Sequence, residues 1–151
     1  MPISSNIIDQ IEALISNERN NTANMANISA HLMAEGGWHW VGFYTVDKIN
    51  DQLVLGPFQG PVACTRLNRG KGVCAKSWVT NTTVVVPNVH EFEGHVACSL
   101  LSNSEVVIPV THNGSVVAVL DIDSVDINGF TQEEVKLLER IVNKLEERWI
   151  G

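Results

Sequence analysis

Apolar positions follow two rhythms along this 151-residue chain. Near the start, Ile7, Ile8, Ile11, Leu14 and Ile15 recur at helical spacing, with Ser4 or Ser5 placed to cap that helix. Met25, Ile28, Leu32 and Met33 predict a second helix that stops at Gly36-Gly37. From Trp38 to about Gln59 the text turns β-branched and aromatic, and two strand-like runs flank a polar turn from Asp47 to Asp51. A short helix entered from a glycine-rich turn is expected over Gly70 to Trp78, and a strand over Thr83 to Val86, closed by Pro87. Residues 88–104 have no clean period and read as a long loop, the kind that more often carries function than not. EVVIPVT and SVVAVLDID form a hairpin around His112-Asn113-Gly114. A last helix starts at a capping box, Thr131 with Glu134, with Phe130 and Val135 as a hydrophobic staple. Val135, Leu138, Ile141, Val142 and Leu145 supply its buried stripe.

Helices on either side of an all-hairpin middle predict an α+β fold, an antiparallel sheet with helices packed against it. No repeat, low-complexity tract or linker divides the sequence. Residues 1–151 therefore read as one domain, with two helices over 1–36 and the sheet, loop and last helix over 37–151.

Composition narrows the function classes. Lys and Arg number 10 against 17 Asp and Glu, a net charge of −7 with no general attraction for phosphate backbones or anionic lipid. Nucleic acid is therefore not an expected partner, and neither is a membrane, since no apolar run approaches the ~20 residues a spanning helix needs. The first residues carry acids and an amphipathic rhythm rather than a signal sequence, so a cytoplasmic location is expected.

Three cysteines in a reducing compartment argue against a disulfide framework. Cys64, Cys74 and Cys98 contain no Cys-x2-Cys pair, and gathering His90, His95 and Cys98 with another cysteine around a metal has poor spacing support. No metal is expected. Cys74, on a short helix, reads equally well as a small buried hydrophobe. Cys98 sits in the irregular loop beside Gly94 and His95, a better setting for a reactive thiol, with His90 and His95 as neighbours able to tune it.

Asp121 and Asp123 alternate with Leu120 and Ile122, so both acids leave one face of a strand, and Glu105 opens the partner strand. Val117 and Val119 are expected on that same face. Either the acids mark the solvent ends of their strands, or they cluster in a half-apolar pocket where repulsion and desolvation raise a pKa. A cluster would hold an ammonium group and lend a proton to a reacting oxygen. The turn decides. A two-residue turn at Asn113-Gly114 pairs Glu105 with Ile122, on the wrong face; a three-residue loop His112-Asn113-Gly114 sets it opposite Asp121. A pocket needs that loop or an equivalent bulge near Pro109, and the three-residue loop is expected.

WVGFY at 40–44, LVLGPFQGPVACTR at 53–66, GKGVC at 70–74, VVPNVHEFEGHVAC at 85–98, SEVVIPV at 104–110 and VLDIDS at 119–124 together resemble the free methionine-(R)-sulfoxide reductases, which are built on a GAF domain. The resemblance implies reduction of free methionine-(R)-sulfoxide. Cys98 matches the catalytic thiol, Cys64 the resolving thiol and Cys74 a third, auxiliary cysteine. Glu105, Asp121 and Asp123 match the acids that hold the substrate, while Trp40 and Tyr44 match pocket-lining aromatics. Ser99 stands where the family usually carries an acid. The resemblance also implies no bound cofactor, thioredoxin as external reductant (fed by NADPH through thioredoxin reductase), and a homodimer. The rival reading is a GAF module that senses a small ligand or oxidant without turnover, through a separate partner.

Overall fold

The computed structural model describes residues 3–96 and 101–151. Six antiparallel strands form one sheet in the order β3-β2-β1-β6-β5-β4. They are β1 (Trp40–Asp47), β2 (Gln52–Gln59), β3 (Arg66–Asn68), β4 (Val84–Val86), β5 (Ser104–His112) and β6 (Ser115–Ser124). The helices are α1 (Asn6–Ile15), α2 (Asn21–Gly36), α3 (Val73–Thr80) and α4 (Gln132–Arg148), with a 3-10 turn at Val89–Glu91. The α+β expectation holds. None of the described helices is long and apolar enough to cross a membrane.

Strand alternation sorts the sheet's side chains into two cores. One face carries Val41, Phe43, Val106, Ile108, Leu120 and Ile122 against the apolar stripes of α1, α2 and α4. Fully burying each such side chain stabilises the fold by roughly 1.5–3 kcal/mol. The other face carries Trp40, Tyr44, Val107 and Val119 and is covered by α3 through Val73, Cys74 and Trp78. Glu105, Asp121 and Asp123 share the parity of Val107 and Val119, so they open toward this second, smaller core.

Local signals set the helix ends. Gly37 takes φ 65° and its N–H donates to the Met33 carbonyl at 3.1 Å, which ends α2 where the glycine pair predicted. Thr131 and Glu134 form both bonds of the capping box at the start of α4. Ser5 occupies the N-cap position of α1, but its backbone is already helical and its side chain makes no capping bond. Leu14 turns outward rather than joining the stripe of α1.

The β5–β6 turn corrects the expected register. His112 pairs with Ser115, so the connection is the two-residue turn Asn113-Gly114, with φ of 52° and 79°. Both positive φ values belong to a tight turn whose twist matches that of the strands. The face is recovered by a one-residue bulge: Thr111 pairs with Val116 and Val110 with Ala118, leaving Val117 unmatched. Val117 consequently packs on the helical face while Val116 and Val119 lie on the other, contrary to the expected Val117–Val119 pairing. Beyond the bulge Glu105 stands opposite Asp123, and Val107 opposite Asp121.

Candidate active site

The site is built on the centre of the sheet. On β1, Trp40, Gly42 and Tyr44 leave one face together. The Trp40 ring stacks on Phe58 with centroids 5.2 Å apart and on Tyr44 at 6.0 Å. Gly42 makes this packing feasible, since a Cβ there would lie 2.3 Å from the Phe58 Cβ and 2.6 Å from the Trp40 ring. Each aromatic also has a polar handle. Trp40 Nε1 donates to the Pro61 carbonyl at 3.0 Å, and the Tyr44 hydroxyl donates to the Cys64 carbonyl at 2.8 Å. The aromatic wall therefore pins the segment that carries Cys64.

Facing that wall is the acid cluster. Glu105 is 7% exposed and Asp121 6%, and the Cys74 sulfur lies with one oxygen of each in a group whose members are all within 4.8 Å of one another. Burial raises all three carboxyl pKa values, and the acids reinforce one another: the Asp123 charge acts on Glu105, Glu105 on Asp121, and Asp121 on Asp123. Glu105 is pushed up to about 8, so it keeps its proton at neutral pH. Burial, with Asp121 alongside, holds the Cys74 thiol well above its ordinary value, so Cys74 stays a protonated thiol beside Asp121. Burial likewise raises the Tyr44 phenol, which stays a donor at any working pH. Asp121 Oδ1 and Ser102 Oγ are buried without a hydrogen-bond partner.

These groups line one cavity with Lys71, His95 and Val96. The centre of a water-sized molecule can reach about 50 Å³ of it, enough for several waters, and the cavity opens toward solvent. The arrangement offers an apolar aromatic wall, a set of carboxyls sharing too few charges for their number, and hydrogen-bond capacity left unused.

A GAF-domain family model matches residues 21–146. The free methionine-R-sulfoxide reductase of Escherichia coli is 41% identical over 89% of this chain and 81% of its own length. The X-ray structure of the free methionine-R-sulfoxide reductase from Neisseria meningitidis in complex with its substrate superposes with a TM-score of 0.93, at 44% identity over 95% of this chain and 86% of that one. The chain belongs to the free methionine-R-sulfoxide reductase family. A GAF domain-containing protein A of Dictyostelium discoideum is 47% identical over 93% of the chain and 89% of its own length.

Within this reductase family framework the remaining expected residues fall as follows. Trp40, Tyr44, Cys74, Glu105, Asp121 and Asp123 come together around the cavity. Cys64 is half-buried on the pinned segment and is disulfide-bonded, while Cys74 is a free thiol. Cys98 lies outside the described residues. His95 Nε2 approaches Glu105 Oε1 at 3.5 Å. Burial lowers the His95 pKa while that of Glu105 is raised, so at neutral pH both are uncharged and the contact is not an ion pair. His90 bonds the Asn103 side chain at 2.8 Å, and His31 bonds Gln10. Among the described residues, Cys74, Glu105 and Asp121 are the group close enough to share a cation. Lys71 lies inside the GKGVC motif, which implies no role for it, and Ser102 has no signal in the sequence; their place on the cavity follows from how the turn before α3 and the approach to β5 fold against the sheet.

Proposed function

We propose that this protein reduces free methionine-(R)-sulfoxide to methionine with its own thiols. The observation that carries the reading is the buried Glu105–Asp121–Asp123 cluster facing Trp40 and Tyr44, in a chain of the reductase family.

A sulfoxide oxygen leaves only once protonated, so the chemistry needs a thiolate on one side of the sulfur and an acid on the other. Cys98 attacks the sulfoxide sulfur. Glu105, protonated up to about pH 8, gives its proton to the oxygen and regains one from the thiol. Methionine departs reduced by two electrons, and Cys98, oxidised by two, carries the oxygen as a sulfenic acid. The Cys64 thiol then attacks the sulfenic sulfur, a Cys64–Cys98 disulfide forms and water leaves. Thioredoxin or another dithiol restores both thiols by exchange and is itself oxidised to a disulfide; reductant of this kind is supplied in the cytoplasm. Cys74, protonated and packed beside Glu105 and Asp121, borders the acid cluster.

The substrate ammonium favours ionisation of one carboxyl while another keeps its proton for the oxygen. A peptide-bound sulfoxide has an amide in place of that ammonium and leaves the acids without a counter-charge. The test is NADPH oxidation coupled through thioredoxin and its reductase. Turnover with free methionine-R-sulfoxide and none with the S-epimer is expected. An inert protein would overturn the reading.

A further inference from the structure

Glu105 can give a proton in every turnover only if one returns to it, and its surroundings restrict the route. Its side chain is 9% exposed and lies beside Asp121 and Asp123 on the floor of the cavity. Both neighbours are acids raised by burial and repulsion, so they compete with Glu105 for protons. Cys74 holds its own proton, and the Tyr44 hydroxyl donates to the Cys64 carbonyl. His95 is a contact of a different kind, with Nε2 3.5 Å from Glu105 Oε1. Its side chain is 16% exposed, so the imidazole stands between water and the buried acid. The local backbone holds it there. The His95 N–H donates to the Phe92 carbonyl at 3.3 Å, Gly94 takes φ 78°, and Val96 packs so closely over Gly72 that a Cβ there would lie 3.2 Å from it. Burial keeps the ring neutral at neutral pH. A neutral imidazole can accept a proton at one nitrogen while giving one up at the other. Contacts of this length between a base and its partner commonly tighten when substrate is bound.

We propose that His95 acts through Glu105, as the relay that returns its proton from the Cys98 thiol three residues further along the chain. The proposal rests on the thiol-reductase reading and adds the route by which its acid is replenished. The thiol proton passes to one imidazole nitrogen, the proton on the other nitrogen passes to Glu105, and the Glu105 proton goes to the sulfoxide oxygen. The ring ends neutral with its proton on the opposite nitrogen, and exchange with water at its exposed edge restores the starting tautomer. No proton is gained or lost overall, and both electrons move from the Cys98 sulfur to the substrate sulfur.

The experiment measures the single-turnover rate of methionine formation for wild type, His95→Gln and His95→Ala, each checked for folding by thermal melting. Both variants are expected to slow by about a hundredfold, the lower end of what a positioned acid or base contributes, with little change in the sulfoxide concentration needed. Added imidazole is expected to restore much of the rate to His95→Ala, since the cavity is open and the ring it replaces reaches solvent. The control is 1,2,4-triazole, a ring of the same size but a far weaker base, which is expected to restore little. A merely structural histidine would be replaced equally well by either ring. An unchanged rate in His95→Gln, equal rescue by the two rings, or no rescue by imidazole overturns the proposal while the reductase reading stands. Wild-type protein that forms no methionine overturns both.

Discussion

Glu105 of β5 stands directly opposite Asp123 of β6. Like charges in that position destabilise a sheet, and here both acids are removed from water as well. Burial and their mutual repulsion raise both pKa values, and Glu105 keeps its proton at neutral pH, where the proposed reaction would draw on it.

That proton has a pH signature. Glu105 titrates at about 8 in the folded protein, against 4.5 for the ordinary side chain. Between those values the folded state binds more protons than the unfolded chain, so this group's contribution makes stability fall as pH rises from about 4.5 through 8. Asp121 and Asp123 are shifted in the same direction. Glu105→Gln cannot ionise, and its Tm is expected to decline less than the wild type's between about pH 5 and 8. Parallel curves would show that Glu105 ionises normally. Wild-type turnover should fall above about pH 8 as the acid form is lost.

Tyr44 joins the wall to the strap that carries Cys64. Tyr44→Phe keeps the ring but removes the 2.8 Å bond to the Cys64 carbonyl. The loss should cost about 1 kcal/mol, or roughly 2–4 °C in Tm. Disulfide closure after a single turnover should slow more than KM for the sulfoxide rises. An unaltered Tm with an unaltered closure rate would show the bond to be incidental.

Gly42→Ala probes the aromatic wall by steric means. The added methyl meets the Phe58 Cβ and the Trp40 ring, so the stack must open. Overpacking of this kind should cost about 1–3 kcal/mol, shift the tryptophan fluorescence and raise KM for the sulfoxide. A variant matching the wild type in all three would mean that the wall yields without consequence.

What the sequence revealed tracks how local each determinant is. The capping box of α4 and the Gly37 stop of α2 depend on residues within a turn of one another, and both appear where the pattern put them. Trp40, Gly42 and Tyr44 share a face because strand alternation is itself local. The β5–β6 turn shows the limit. Asn113-Gly114 adopts the two-residue turn its composition favours, and the bulge at Val117 then restores the face of Glu105. That bulge is chosen by two cores competing for Val116 and Val117, a property of the packed sheet. Likewise, the bonds from Trp40 to Pro61 and from Tyr44 to Cys64 span 21 and 20 residues and exist only after β1 and β2 have paired. The orphaned Ser102 hydroxyl leaves no trace in the chain at all.

The most direct measurement is a single turnover without external reductant. Fully reduced protein is mixed with one equivalent of free methionine-R-sulfoxide, methionine is quantified, and the protein is mapped under non-reducing conditions. The account predicts about one methionine per chain and a peptide joining Cys64 to Cys98, with Cys98→Ser forming neither. No methionine from the wild type, or as much methionine from Cys98→Ser, would contradict it.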